Sequence, residues 1–225
     1  MTRLSPVADT THTYVACDNA VRQLIDWLAP ADRVAMDIEA DGLFHYYQKV
    51  CLVQFTVRGR NFIIDTLAGA DLKPLWAALA DKTLLFHSAD YDLRMLRSSF
   101  GFRPRAGLVD TMIAAQLLGR EKLGLATLVE EFAGQPFSKA GQKSNWSHRP
   151  LTPAQLLYAV DDTRYLEPLA DLLVAELDRL GRRGWFVESC AAAVDATETD
   201  RYVGIFQSVT VAPDTDYALT LRGLI

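Results

Sequence analysis

Two apolar runs, Val50–Val57 (VCLVQFTV) and 61–65 (NFIID), are separated only by Arg58-Gly59-Arg60. A pair of β-prone runs joined by so short a polar connector is a hairpin signal, and it commits the first half of the chain to a sheet. Further short apolar runs at 33–38 (RVAMDI), Thr83–Phe86 (TLLF) and 107–109 bring the expected strands to five. Helical apolar spacing covers 21–29, 72–80, 91–100, 111–118 and 125–132, with Asp18 or Asn19 capping the first of these and Asp110 the fourth. The stretch 135–151 is polar, Lys-bearing and rich in Ser and Gly, and reads as a loop. Thr152-Pro153-Ala154-Gln155 then opens a helix: Thr caps, Pro takes the first position and Gln occupies the capping-box place. That helix is expected to run to about Arg179 with a bend at Pro168, to break at Gly181–Gly184, and to resume over 185–196. Strands come early and helices dominate later, so the expected class is α/β, a central mixed five-stranded sheet flanked by helices.

The chain has 225 residues, 50% hydrophobic and 23% charged, which suits one compact domain of about 1–180 with a core near 20–175, followed by a helical C-terminal extension over 181–225. No uninterrupted apolar stretch approaches the roughly 20 residues that a membrane span needs. Residues 1–13 are polar and lack the apolar core of a signal peptide, so a cytoplasmic protein is expected. Cys17, Cys51 and Cys190 are far apart, odd in number and without CxxC spacing, which points to reduced thiols rather than disulfides or zinc ligands. His12, His45, His87 and His148 show no metal-ligand spacing either. A formal net charge of −5 argues against a protein that coats polyanions generally.

The acids carry more information than the totals. Asp37-Ile38-Glu39 ends an apolar strand, where a spacing of two turns both carboxylates to one face. Two such neighbours repel each other and are costly to desolvate, which a cation relieves; the bland alternative is a strand end that merely faces water. Asp41-Gly42 follows as a turn where backbone can approach a ligand. Asp92 lies in the first turn of a helix entered from Phe86-His87-Ser88-Ala89-Asp90-Tyr91, a place that favours an acid regardless of function, and Asp90 competes for the role. Leu93 and Leu96 mark the buried side of that helix and favour Asp92. Tyr158 and Asp162 are four apart on a helix and therefore neighbours, as ligand and water-holding phenol or as a packed ring beside a surface acid; Asp161 points elsewhere. Carboxylate oxygens are the ligands of hard divalent cations, and two such cations held together cleave phosphodiesters.

Asp-x-Glu, a central Asp after a strand-helix turn, and Tyr-x-x-x-Asp resemble the three exonuclease motifs of the DEDD superfamily in its Tyr-containing (DEDDy) subgroup. The surrounding stretches YYQKVCLVQF, FIIDTL, FHSADYDL, VDTMIAAQLLG, LATLVEEFAG and SNWSHRPLTPAQLLYAVDDTRYLEPL resemble the ribonuclease D family, from about Arg33 to Leu172. The resemblance implies a ribonuclease H-like fold in a 3′-5′ exonuclease domain over 1–180. It implies two divalent cations, Mg²⁺ or Mn²⁺, with Asp37 bridging both, Glu39 and Asp162 completing the shell of one, and Asp92 holding the other. Tyr158 would orient the attacking water. The implied activity is hydrolysis of RNA from its 3′ end to nucleoside 5′-monophosphates, as in tRNA maturation or RNA turnover. The implied partners are RNA 3′ ends, such as tRNA precursors or other small RNAs, met by a monomer. Long members continue into helical HRDC domains that help hold RNA, whereas 185–225 resembles only the approach to one.

Substrate contacts are expected from the basic loop, Lys139, Lys143 and Arg149, with Trp146 as an aromatic surface, since cation plus ring grips single strands; a solubilising loop with Trp146 in the core is the other reading. Gln54 and His87 resemble family positions near the site, and Leu43 is placed to wedge against a terminal base. Two rival functions stay open: degradation of single-stranded DNA, and a catalytically silent RNA-binding module. The presence of all five motif residues speaks against the second.

Overall fold

The computed structural model describes residues 10–42, 48–134, 137 and 141–198. The described chain forms a six-stranded mixed sheet: β1 (His12–Val15), β2 (Arg33–Ala40), β3 (Val50–Val57), β4 (Arg60–Asp65), β5 (Thr83–Phe86) and β6 (Gly107–Asp110), in the order β1-β4-β3-β2-β5-β6. β3 is antiparallel to both of its neighbours, β2 and β4, while β5, β6 and β1 join in parallel. The helices are α1 (Asp18–Leu28), α2 (Lys73–Ala80), α3 (Asp90–Phe100), α4 (Thr111–Leu117), α5 (Leu125–Ala133), α6 (Pro153–Arg164), α7 (Leu166–Arg179) and α8 (Arg183–Ala196).

Five strands lie where the apolar runs placed them; β1 is an addition. Only Val15 of HTYV is buried, so β1 has no apolar pattern to advertise it and exists because β4 offers an edge. The hairpin closes more tightly than its three polar residues suggest, because Arg60 pairs with Val57 and leaves only Arg58 and Gly59 in the turn. Both have positive φ, 51° and 73°, the backbone that matches the twist of the flanking strands.

The expected bend at Pro168 falls earlier. Pro168 lacks the N–H that would bond the Arg164 carbonyl, and its ring would strike that carbonyl; α6 therefore ends at Arg164 and Pro168 sits in the first turn of α7, where no donor is needed. The Thr152 capping box forms as expected, with Gln155 N donating to Thr152 Oγ1 at 3.2 Å and Thr152 N to Gln155 Oε1 at 2.9 Å.

Alternation along β2 divides the molecule. Val34, Met36 and Ile38 enter the main core with α1, α2 and α3, and Phe186 and Cys190 of α8 join the same core. Ala35 faces the other way, against Leu166 and Ala170 of α7, and α6 crosses β2, β3 and β4 on that side. Cys51 and Cys190 are buried free thiols and Cys17 is exposed. No described helix is long and apolar enough to cross a membrane.

Candidate active site

β2 outruns its parallel neighbour. Its pairing with β5 covers only Arg33–Ala35, after which β5 turns into α3. Asp37 and Glu39 lie beyond that point, on the face of Ala35, and are opposed on β3 by Gln54 and Leu52. α6 closes this opening from above. It is pinned to the sheet by a buried hydrogen bond of 2.8 Å between Thr163 Oγ1 and Thr56 Oγ1, directly after Asp162. Oxygen atoms of Asp37, Glu39 and Asp162 all come within 4.8 Å of one another. Residues 125 positions apart in sequence thus share one cage.

Asp92 stands beside this triple, 7% exposed in the first turn of α3. The competing acids are occupied elsewhere. Asp90 pairs with Arg94 one turn along α3 at 3.0 Å, and Asp161 with Arg164 at 2.6 Å. Helical phase therefore decides between nearby carboxylates: Asp92 and Asp162 turn inward.

Burial, and then the company of like charge, governs the electrostatics. Burial pushes the Asp37 carboxyl up to about 7, against a hydrogen bond from the Ile38 backbone that draws it down. Glu39, Asp92 and Asp162 are each raised well above the carboxylate range, first by burial and then by the charge of Asp37. The Tyr158 phenol is raised far beyond its usual value by burial and by Asp162, Glu39 and Asp37, so it stays protonated throughout the neutral range. Gln54 Nε2 donates to Asp37 Oδ2 at 2.8 Å and orients that acid. An all-oxygen donor set whose members raise one another's proton affinity is relieved by a hard divalent cation, and Mg²⁺ or Mn²⁺ fits these residues.

The expected substrate contacts fare differently. Trp146 is 1% exposed, packed with Cys51, Leu52 and Ile63 and with its ring 6.1 Å from that of Tyr158, so it is a core residue and offers no surface for a base to stack on. Arg149 is likewise committed inside the protein: its guanidinium grips Asp65 through two bonds of 2.7 Å and donates to the carbonyls of Trp146, His148 and Cys51. Gln54 is 1% exposed, with its Nε2 donating to Asp37. His87 is half-buried beside Thr111, 2.9 Å from its hydroxyl, and burial lowers its pKa. Lys143 is exposed. Leu43 and Lys139 lie outside the described residues.

Gly141 escaped the reading of the loop. A Cβ at this position would overlap the Cβ, Cγ and Cδ1 atoms of Tyr158, so the missing side chain lets loop backbone lie flat against the ring. Its only sequence signal is a lone glycine in a polar stretch, which turn chemistry explains equally well.

A family model described as 3′-5′ exonuclease matches residues 12–178. The chain belongs to the 3′-5′ exonuclease family. Among curated relatives of this exonuclease domain, Ribonuclease D of Acidiphilium cryptum is 37% identical over 180 residues, covering 78% of this chain and 46% of that protein. The chain thus spans about half the length of the curated relatives it matches. Escherichia coli RNase D, described as an exoribonuclease involved in structured RNA processing, superposes with a TM-score of 0.78 at 28% identity, over 84% of this chain and 51% of that one. Brucella melitensis NrnC, solved bound to pGG, superposes with a TM-score of 0.71 at 27% identity, over 95% of this chain and 100% of that one. A further NrnC structure carries bound Mg²⁺. The ribonuclease D resemblance and the α/β nuclease fold expected from the motifs agree with these matches.

Proposed function

We propose that the protein is a metal-dependent 3′-5′ exoribonuclease that releases nucleoside 5′-monophosphates. The observation that carries this reading is the convergence of Asp37, Glu39 and Asp162 oxygens within 4.8 Å, with Asp92 buried alongside. Asp37, Glu39 and Asp162 would hold one cation, and Asp37 with Asp92 a second, Mg²⁺ or Mn²⁺. When bound, such a pair supplies positive charge to the entering and leaving oxygens of an in-line displacement. The protein's own contribution is placement. Gln54 fixes Asp37, Thr163 fixes α6 and with it Asp162, and Tyr158 orients the attacking water. Tyr158, one helical turn before Asp162, would serve as a hydrogen-bonding group toward that water.

RNA is the proposed substrate, tRNA precursors and other small RNAs included. A second reading, very short RNA, is favoured by the match to the whole length of NrnC and by the pGG bound there. The deciding experiment is digestion of 5′-labelled RNA and DNA oligomers of one sequence, together with a dinucleotide such as pGG, in Mg²⁺, Mn²⁺ or EDTA. A ladder shortening from the 3′ end, faster for RNA and absent in EDTA, is expected. Faster loss of DNA overturns the choice of RNA; clearance of the dinucleotide well ahead of the longer RNA selects the second reading. No hydrolysis of any substrate with either metal would leave only a silent binding module.

The loop contact adds a prediction. Gly141→Ala drives a methyl group into the Tyr158 ring and is expected to lower kcat by about 10- to 100-fold through displacement of the phenol, with KM little changed. Steady-state kinetics decide it; a wild-type kcat would show that the ring position is unimportant.

A further inference from the structure

Four consecutive residues in the turn from β5 into α3 are held by two neighbours at the end of β6. Asp110 Oδ1 accepts from Ser88 N at 3.0 Å, and Oδ2 from Ala89 N at 2.8 Å. The Thr111 hydroxyl donates to the Phe86 carbonyl at 3.1 Å and stands 2.9 Å from His87 Nδ1. Both residues are buried, Asp110 at 2% exposure and Thr111 at 0%.

The turn needs such a grip. Ser88 has φ +66°, a left-handed backbone that is strained for a residue other than glycine. Ala89 is the residue from which α3 starts, and its carbonyl accepts the Leu93 N–H at 2.9 Å. Where Ala89 is held, the phase of the first helical turn is set, and Asp92 lies in that turn. The familiar explanation for Asp110 is that it caps α4, which it does through Met112 N and Ile113 N at 2.8 and 3.3 Å. Capping uses Oδ1 alone. It gives no reason for Oδ2 to reach 21 residues back along the chain to Ala89.

We propose that Asp110 and Thr111 are positioning residues for Asp92: they clamp the Phe86–Ala89 turn in its strained conformation and so aim the Asp92 carboxylate at Asp37 and Asp162. This inference rests on the reading of the acid cluster as a metal site. Asp110 is not itself a ligand; its carboxylate is spent on backbone N–H groups.

Asp110→Asn separates the two roles, because Asn caps a helix as well as Asp does but presents an amide N–H₂ to one of the donors that the carboxylate satisfied. The test measures Mn²⁺ binding by electron paramagnetic resonance of the free ion, alongside thermal unfolding and the Mn²⁺ dependence of hydrolysis. Asp110→Asn is expected to weaken Mn²⁺ binding about 10- to 100-fold, the usual cost of removing an outer partner of a metal site. In an Asp92→Asn background the same change should cost little more, since the residue it acts through is already lost. Thr111→Val, which keeps Asp110 and nearly the same volume, is expected to weaken binding in the same direction and serves if Asp110→Asn fails to fold. Wild-type Mn²⁺ affinity in a folded Asp110→Asn or Thr111→Val protein, or full additivity with Asp92→Asn, overturns the inference alone. Absence of Mn²⁺ binding by the wild-type protein would overturn the metal reading and this inference with it.

Discussion

Asp162→Asn is expected to remove hydrolysis, by about 10³-fold or more, while making the metal-free protein more stable. The two effects share a cause. In the absence of a cation, Asp37, Glu39, Asp92 and Asp162 are held in a poorly solvated opening where burial raises all four and the charge of Asp37 raises the other three further. An amide of the same shape at position 162 leaves the packing of α6 on the sheet intact, removes one source of repulsion, and cannot replace an anionic ligand. The melting temperature of the metal-free variant should exceed wild type by a few degrees, about 2–4 °C for each kcal/mol in a chain of this size.

The pH dependence has a definite sign. A carboxyl raised from its unfolded value near 3.8 to about 7, as Asp37 is, binds its proton more tightly when folded. Its contribution to stability is fully present below the unfolded value and is lost as pH rises through the folded one. Metal-free wild type should therefore lose stability from this cluster between about pH 4 and 7, and Asp162→Asn less of it. Millimolar Mg²⁺ or Mn²⁺ should reverse the loss in wild type, by about 2.7 kcal/mol at a hundredfold excess over Kd, and only weakly in the variant. Unfolding scans with and without metal, beside an RNA digestion, measure all of this. An Asp162→Asn protein that trims RNA at the wild-type rate would remove Asp162 from the site.

The second large effect concerns stability alone. Arg149→Ala is expected to cost about 3–5 kcal/mol, on the order of 10 °C in melting temperature, because it strips the counter-charge from a buried acid. The Asp65 side chain is only 7% exposed. Burial pushes its carboxyl up, yet the hydrogen bonds from Arg149, the Tyr14 hydroxyl at 2.6 Å and the Leu67 N–H more than offset this and hold it below the usual range. Arg149 ties together parts remote in sequence: Asp65 at the end of β4, the Cys51 carbonyl on β3 and the loop leading to α6. In the Asp65→Asn background, loss of the guanidinium should cost much less, since no buried charge is then stranded. KM for RNA at a permissive temperature should stay near wild type. An unchanged melting temperature with a raised KM would return Arg149 to the substrate-gripping role its charge suggests.

Arg149 and Trp146 show where local reading stops. A cation and a ring in a polar loop are equally the signature of a nucleic-acid grip and of a loop buckled onto its own domain; the difference lies in Asp65, 84 residues away, and in the apolar patch of β3 and β4 that receives the indole. Asp110 teaches the same lesson. Its cap on α4 is a local pattern visible along the chain, but its second oxygen is engaged across the sheet, because β6 pairs with β5 and brings Asp110 opposite Phe86. Gly141 is legible only once Tyr158 lies against it.

What the amino-acid order settled by itself was whatever depends on near neighbours. Strand alternation put Asp37 and Glu39 on one face, helical spacing paired Tyr158 with Asp162, and turn and cap chemistry placed the hairpin and the start of α6. Tertiary structure alone decided how far β2 runs past β5 and which cations are consumed as internal clamps. These outcomes depend on burial and on distances between groups far apart along the chain, which short-range periodicity does not encode.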